Sequence, residues 1–343
     1  MSAQPPNKKK SAQTAAAKKT TFGSSTKFAT VPAVPGFPEG VAVHGDSVFV
    51  AGPARLGSAG TPASALQVYD RKTGTHEQTI VFQGENLALD HTTSNLAVDS
   101  SGQVYALSRQ LGLVRFTKKG KTYQQSAYGA PLPDLRPVAG PDFTPVPNDV
   151  VFDDAGNAYV TDSLQATIFR YAPGGGAAQI WFQSPLFIGN SILPLGLNGI
   201  RLDPQRKNVY FAVSTSPNNV AIGTIYRLPL VNKPTASQLE VFHQYVAGET
   251  PDQLAFANDG RLFISLAFSH QISILSTTGA ELGRISSQPD DELAFDNPAG
   301  IAFDSRTKSL FVVNHALFTG DPTHFAVLSV FVDNPGDPLV KGQ

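Results

Sequence analysis

The 343-residue chain has no cysteine, a single methionine and a single tryptophan. Without thiols there are no disulfides, no thiolate nucleophile and no thiolate zinc site. No apolar run reaches about 18 residues, so no transmembrane helix is expected. A secretory apolar segment is also missing, and a mature secreted form is preferred over a cytoplasmic one. No window sustains a helical period. The chain lacks a Gly-Xaa-Ser-Xaa-Gly elbow, which removes the usual sequence support for a serine hydrolase. Gly174-Gly175-Gly176 has no Lys-Ser/Thr after it and reads as a hairpin connection, not a phosphate loop. Acidic residues are absent from residues 1–26, which carry Lys8, Lys9, Lys10, Lys18 and Lys19 among Ala, Ser, Thr and Gln. Such a stretch buries too little apolar surface to order itself, so a disordered basic tail is expected there.

Six of the 26 basic residues lie at or before Lys27, leaving 20 basic against 27 acidic residues, a net of −7 with His neutral. That sign argues against nucleic acid as a partner and suits a cation site. Gly at 30 and Pro at 26 are high counts, as many short strands and turns require.

One register recurs six times, led by Glu39, Ser94, Asn148, Asn198, Asp252 and Ala299, at separations of 55, 54, 50, 54 and 47 residues. After each leading residue comes an apolar run such as Val150 to Phe152, a polar turn such as Asp153-Asp154-Ala155-Gly156-Asn157, and a second run such as Ala158 to Thr161. Asp and Asn start such turns and Gly closes them. Further period-2 runs follow at Ala166 to Tyr171, Gly223 to Leu228, Gln271 to Ser276 and Ala326 to Val332. Repeats of this length predict an all-β, six-bladed β-propeller with four antiparallel strands per blade. The reading is a single domain over residues 27–343, with Lys27 to Val34 supplying an outermost strand to the last blade.

Equivalent places in a propeller converge on its axis, which would gather Glu39, Asn148, Asn198 and Asp252. A single Asn or Asp before a strand is usually a turn former. Here the frame itself does not demand polarity, since Ser94 and Ala299 fill the same place. Two carboxylates and two amides near an axis are costly to bury unless a cation satisfies their oxygens. An all-oxygen set with two negative charges suits a hard divalent ion, calcium first, with positions left open for water or substrate.

At these residues the chain resembles the superfamily of senescence marker protein, gluconolactonase and related calcium-dependent six-bladed propellers, with the paraoxonases as more distant kin. Pro38-Glu39-Gly40 is similar to their first-blade Glu motif. Pro147-Asn148-Asp149, Leu197-Asn198-Gly199 and Pro251-Asp252-Gln253 are similar to the later ligand motifs. The resemblance implies a metal-dependent lactonase or ester hydrolase, with Glu39, Asn148, Asn198 and Asp252 as metal ligands and Asp252 as the catalytic carboxylate. Sugar-lactone members often carry an Arg where this chain has Val146, and the paraoxonases a His where it has Ser94. A small molecule more apolar than a sugar lactone is therefore the expected substrate.

The segments Ser184 to Leu195 and Pro131 to Pro147, the latter with Phe143, are expected to overhang the mouth. His270 and His315 follow second-strand runs, within reach of substrate or bonding a neighbouring blade. Trp181 is expected between blades. A monomer is favoured, with no membrane partner. Two alternatives stand beside the hydrolase: a binding propeller with a structural axial ion, and a strictosidine-synthase-like non-hydrolytic enzyme.

Overall fold

The structure is a computed structural model that describes residues 21–217 and 222–339. It is all-β, with only three single-turn 3₁₀ segments among the described residues. The strands form four four-stranded sheets and one eight-stranded sheet. The larger sheet is two four-stranded meanders joined by one parallel pairing, Gly176 with Gly129. The expected hairpin at Gly174-Gly175-Gly176 is present, between the strands Thr167–Ala172 and Gly175–Gln183. All three glycines take positive φ, and a side chain at Gly175 would strike the Tyr128 carbonyl.

The inner strands are Val41–His44, Thr93–Val98, Pro147–Phe152, Leu197–Leu202, Pro251–Phe256 and Pro298–Asp304. Each touches the next in order, and the last touches the first, closing a ring. The apolar core lies between the sheets, in clusters each shared by two successive ones. One joins Val151, Ile168 and Trp181 to Ile200, Leu202 and Phe211. Another closes the circle by joining Val313 and Val327 to Val41 and Val50. Trp181 packs edge-on against Tyr159, and its indole donates to the Val231 carbonyl of the following sheet at 2.8 Å. This is the packing between sheets read from the sequence.

Ring closure borrows an N-terminal strand, as the sequence suggested. Ser25–Thr30 pairs antiparallel with Ala326–Phe331 at the sheet's outer edge. The strand begins two residues before Lys27 and stops at Thr30 rather than Val34, because Pro32 and Pro35 cannot donate to a ladder. The expected tail lies for the most part outside the described residues, which start at residue 21.

Two features turn this ring into a holder for side chains. In five of the six four-stranded meanders the pairing between the inner strand and its neighbour slips at one place, between Thr93 and Leu96, Pro147 and Val150, Leu197 and Ile200, Pro251 and Leu254, and Pro298 and Ile301. Such an irregularity bends the strand and re-aims the residues inside it. Those residues are the leading position of each repeat and its successor. Second, a hydroxyl on one sheet reaches the next inner strand near the same level. Ser94 donates to the Pro147 carbonyl at 2.8 Å, Thr161 to Asn198 at 2.6 Å, Ser214 to Pro251 at 2.8 Å and Ser265 to Ala299 at 2.7 Å. The opposite end of the ring is covered by the segment after Asn334. There Gly336 bridges to Ala257 and Asp337 pairs with Arg206 at 2.6 Å.

Candidate functional site

A cavity of about 470 Å³ opens at the N-terminal ends of the inner strands, and Glu39, Asn148, Asn198 and Asp252 all line it. Residues separated by up to 213 positions in sequence thus share one chamber. Ser94 lines it as well, while Ala299 does not. Glu39, Asn198 and Asp252 are buried, and Asn148 is partly so.

Their oxygens are under-used. Glu39 Oε1, Asn198 Oδ1 and Asp252 Oδ1 are buried without a hydrogen-bond partner. A buried acceptor left unpaired costs about 1–3 kcal/mol, and more when charged. Three orphans in one chamber are therefore expensive unless a ligand satisfies them. Neighbours hold these groups in place. The Asn198 amide donates to Ser214 Oγ at 3.0 Å, which turns its carbonyl oxygen the other way. Gln253 donates across the ring to Asn148 Oδ1 at 3.3 Å.

The electrostatics agree. Burial lifts the Asp252 carboxyl to about 7, the negative charge of Asp149 adds to this, and a hydrogen bond from Asn198 opposes it. Burial likewise pushes Glu39 well above the usual carboxylate range, reinforced by the charges of Asp252 and Asp149. Asp149, fully buried one residue after Asn148, is also raised by burial. Its neighbours partly compensate: an ion pair with Arg201 and hydrogen bonds from the Ile200 and Val150 amides at 2.8 Å. Glu39 and Asp252 have no ion pair among the described residues, so a cation bound beside them would complement their charge. Among the described residues no group of three or more His, Cys, Asp or Glu is placed to hold a metal ion. The donors here are two carboxylates and two amides, which is oxygen chemistry suited to a hard ion.

Above this polar floor the wall is apolar, built by Phe37, Leu56, Val146, Leu193, Leu195 and Phe268. Val146 lines the cavity. The two long segments divide their roles. Leu193, Pro194 and Leu195 from one and Val146 and Pro147 from the other line the chamber. Phe143 instead sits in a small cleft with Leu164 and Ile188, where the segments pack together.

The histidines separate as well. His270 is exposed, and its Nδ1 accepts from the Asn297 amide at 3.1 Å. His315 lines the chamber, with Nε2 2.8 Å from the Ala54 carbonyl of the first sheet. The carbonyl can only accept, so Nε2 carries the proton. Burial lowers this imidazole to about 4, leaving it neutral at pH 7. The interlocking role between sheets thus holds for His315.

Sequence reasoning did not single out Ser163, whose buried unpartnered hydroxyl lines the chamber. Nor did it find Ser214, Gln253 or Arg55. Their roles depend on register across the ring, and the leading-position pattern carries no signal for them.

The chain matches no family model and no curated protein. Its fold is shared with solved structures. A calcium-binding protein, regucalcin, from Agrobacterium tumefaciens is similar with a TM-score of 0.62 at 16% identity, over 93% of this chain and 99% of that one. A gluconolactonase from Xanthomonas campestris gives 0.50 at 16% identity, over 92% and 98%. A virginiamycin B lyase from Staphylococcus aureus gives 0.52 at 14% identity, over 86% and 95%. The resemblance read from the motifs thus extends to the three-dimensional fold, and at these identities it is a likeness of fold.

Proposed function

We propose that this chain is a six-bladed β-propeller enzyme, a metal-dependent hydrolase of the lactonase or ester-hydrolase type, acting on a relatively apolar small molecule. The observation that carries the reading is the trio of orphaned buried oxygens on Glu39, Asn198 and Asp252, facing one chamber from three distant repeats. Glu39, Asn148, Asn198 and Asp252 would hold the ion, calcium being preferred for an all-oxygen set of net charge −2. Regucalcin, a calcium-binding protein of the same fold, supports that preference, and the gluconolactonase supports the reaction class.

When bound, such an ion supplies Lewis acidity toward a carbonyl oxygen. The chain's own residues do the rest. Asp252, a buried carboxylate facing the chamber beside Asn198, is the group placed to act as general base. It accepts the proton of the attacking water and returns it to the leaving oxygen. Asn198, fixed by Ser214, keeps Asp252 oriented through their hydrogen bond. The walls at Val146, Leu193 and Phe268 bind apolar substrate and exclude bulk water, which strengthens every charge interaction inside.

The test joins metal analysis of the purified protein to a panel of lactones and aryl esters, with and without chelator. Turnover restored by added calcium supports the proposal. A calcium-binding chain inert toward the whole panel refutes the hydrolase and leaves a structural ion. The lyase with this fold makes elimination the alternative to screen next.

A further inference from the structure

The loop following the strand Ser47–Gly52 carries one residue whose placement the metal chemistry does not explain. Arg55 lines the main chamber and is its only lysine or arginine among the described residues. Eight other arginines are paired with carboxylates. Arg55 has no carboxylate partner among the described residues. Instead its guanidinium lies over the Phe37 ring, 4.5 Å from the centroid, in a half-buried position.

The backbone beside it is pinned on two sides. The Ala54 amide donates to the Phe37 carbonyl at 2.9 Å, and the Ala54 carbonyl receives His315 Nε2 at 2.8 Å. Phe37 is itself wedged edge-on to His315 and against Phe325. An arginine stacked on a fixed ring, at the end of a pinned loop, gives up little freedom when it captures an anion. Stacking occupies the guanidinium face and leaves its edge donors free. That edge matches the two oxygens of a carboxylate.

Charge sets the number of anionic groups. Glu39 and Asp252 carry two negative charges that a divalent ion would offset, Arg201 offsets Asp149, and His315 is neutral. Arg55 then leaves the chamber with a single positive charge. We infer that Arg55 is a specificity residue for a carboxylate on the substrate, so that the preferred substrates are hydrophobic lactones or esters bearing one carboxylate away from the reacting carbonyl. This inference rests on the hydrolase reading only for the words lactone and ester; the anion subsite stands on the geometry of Arg55.

The test is equilibrium binding by calorimetry, with 4-phenylbutyrate and its uncharged amide as probes, using the full chain with calcium and again with chelator. Wild type should bind the acid over the amide by about tenfold or more at low salt, as a charge-assisted pair in a partly desolvated site implies. Arg55→Met should bring that ratio to within about twofold, and Arg55→Lys, which keeps charge without the planar fork, should fall between. Equal binding of acid and amide by wild type would overturn the inference. So would an acid preference that survives in Arg55→Met, since the ion or another group would then hold the carboxylate. If Arg55→Met does not fold, Arg55→Lys with an undiminished ratio overturns it, and a reduced ratio supports it. No turnover is read, so failure of the hydrolase proposal and failure of this one are separate results.

Discussion

Replacing a metal ligand usually weakens a protein, but Asp252→Asn should strengthen this one when no metal is present. The carboxyl of Asp252 goes from an ordinary value of 3.8 to about 7 in the folded chain. A group raised in this way holds its proton in the native state while the unfolded chain has lost it. Between about pH 4 and pH 7 the native state thus binds more protons, and stability falls as pH rises through that window. Three units correspond to a ceiling of roughly 4 kcal/mol at pH 8, at about 1.4 kcal/mol per unit. Glu39, also raised by burial, acts with the same sign. The neutral amide of Asn keeps the shape and removes the charge. We expect Asp252→Asn to raise metal-free stability by about 2–4 kcal/mol at pH 8, with a gain that vanishes near pH 4. Urea denaturation in chelator across that range, wild type against variant, reads the difference directly. Calcium at 100 times its dissociation constant should restore wild type by about 2.7 kcal/mol and leave the variant unmoved. A variant less stable than wild type at pH 8 in chelator would contradict this, because the buried carboxylate would then be satisfied by the protein itself.

Calcium binding should release protons below about pH 7, since Asp252 must ionise to ligate; calorimetry in two buffers of different ionisation heat measures the release, and a buffer-independent heat at pH 6 would contradict it. Ser214→Ala frees the Asn198 amide to turn and should weaken calcium binding by about 10-fold or more, as losses of a ligand's supporting hydrogen bond do, and it should also cost about 1–3 kcal/mol of metal-free stability because the Pro251 carbonyl loses its donor. Arg201→Met leaves Asp149 buried without its ion pair and should cost about 3 kcal/mol in chemical denaturation. Gly300→Ala places a methyl against the Glu39 carbonyl, 1.9 Å away before any relaxation, and should cost about 1–3 kcal/mol while weakening calcium binding through displaced Glu39.

The architecture was legible because its signals are local and repeated. The turn at Asp153 is an example: its carboxylate accepts from the Ala155 amide at 3.0 Å and the Asn157 amide at 2.8 Å, as the Asp-to-Asn spacing implied. The same device recurs at Asp99 and Asp203. The convergence of Glu39, Asn148, Asn198 and Asp252 on one chamber was legible because equivalent positions in a ring face its axis. The reason Asn148, Asn198 and Asp252 face it was not legible, since their shared register slip is a property of strand pairing, and Glu39 lies just ahead of a strand that pairs without one. Gly199 and Gly300 hint at it afterwards, because a side chain at either would collide with the next inner strand. The chamber walls were read in part. Leu193 to Leu195 were expected from their apolar segment, but Phe143 lines a small separate cleft with Leu164 and Ile188. Arg55 was invisible because nothing in its local sequence tells that Phe37 and His315 come to meet it.

Calcium titration of the metal-free wild type by calorimetry, beside Glu39→Gln and Asp252→Asn, decides whether this chamber holds the ion. Wild type should bind one ion per chain, and neither variant should bind measurably over the same concentration range. Unchanged stoichiometry and affinity in both variants would place the ion elsewhere and contradict this.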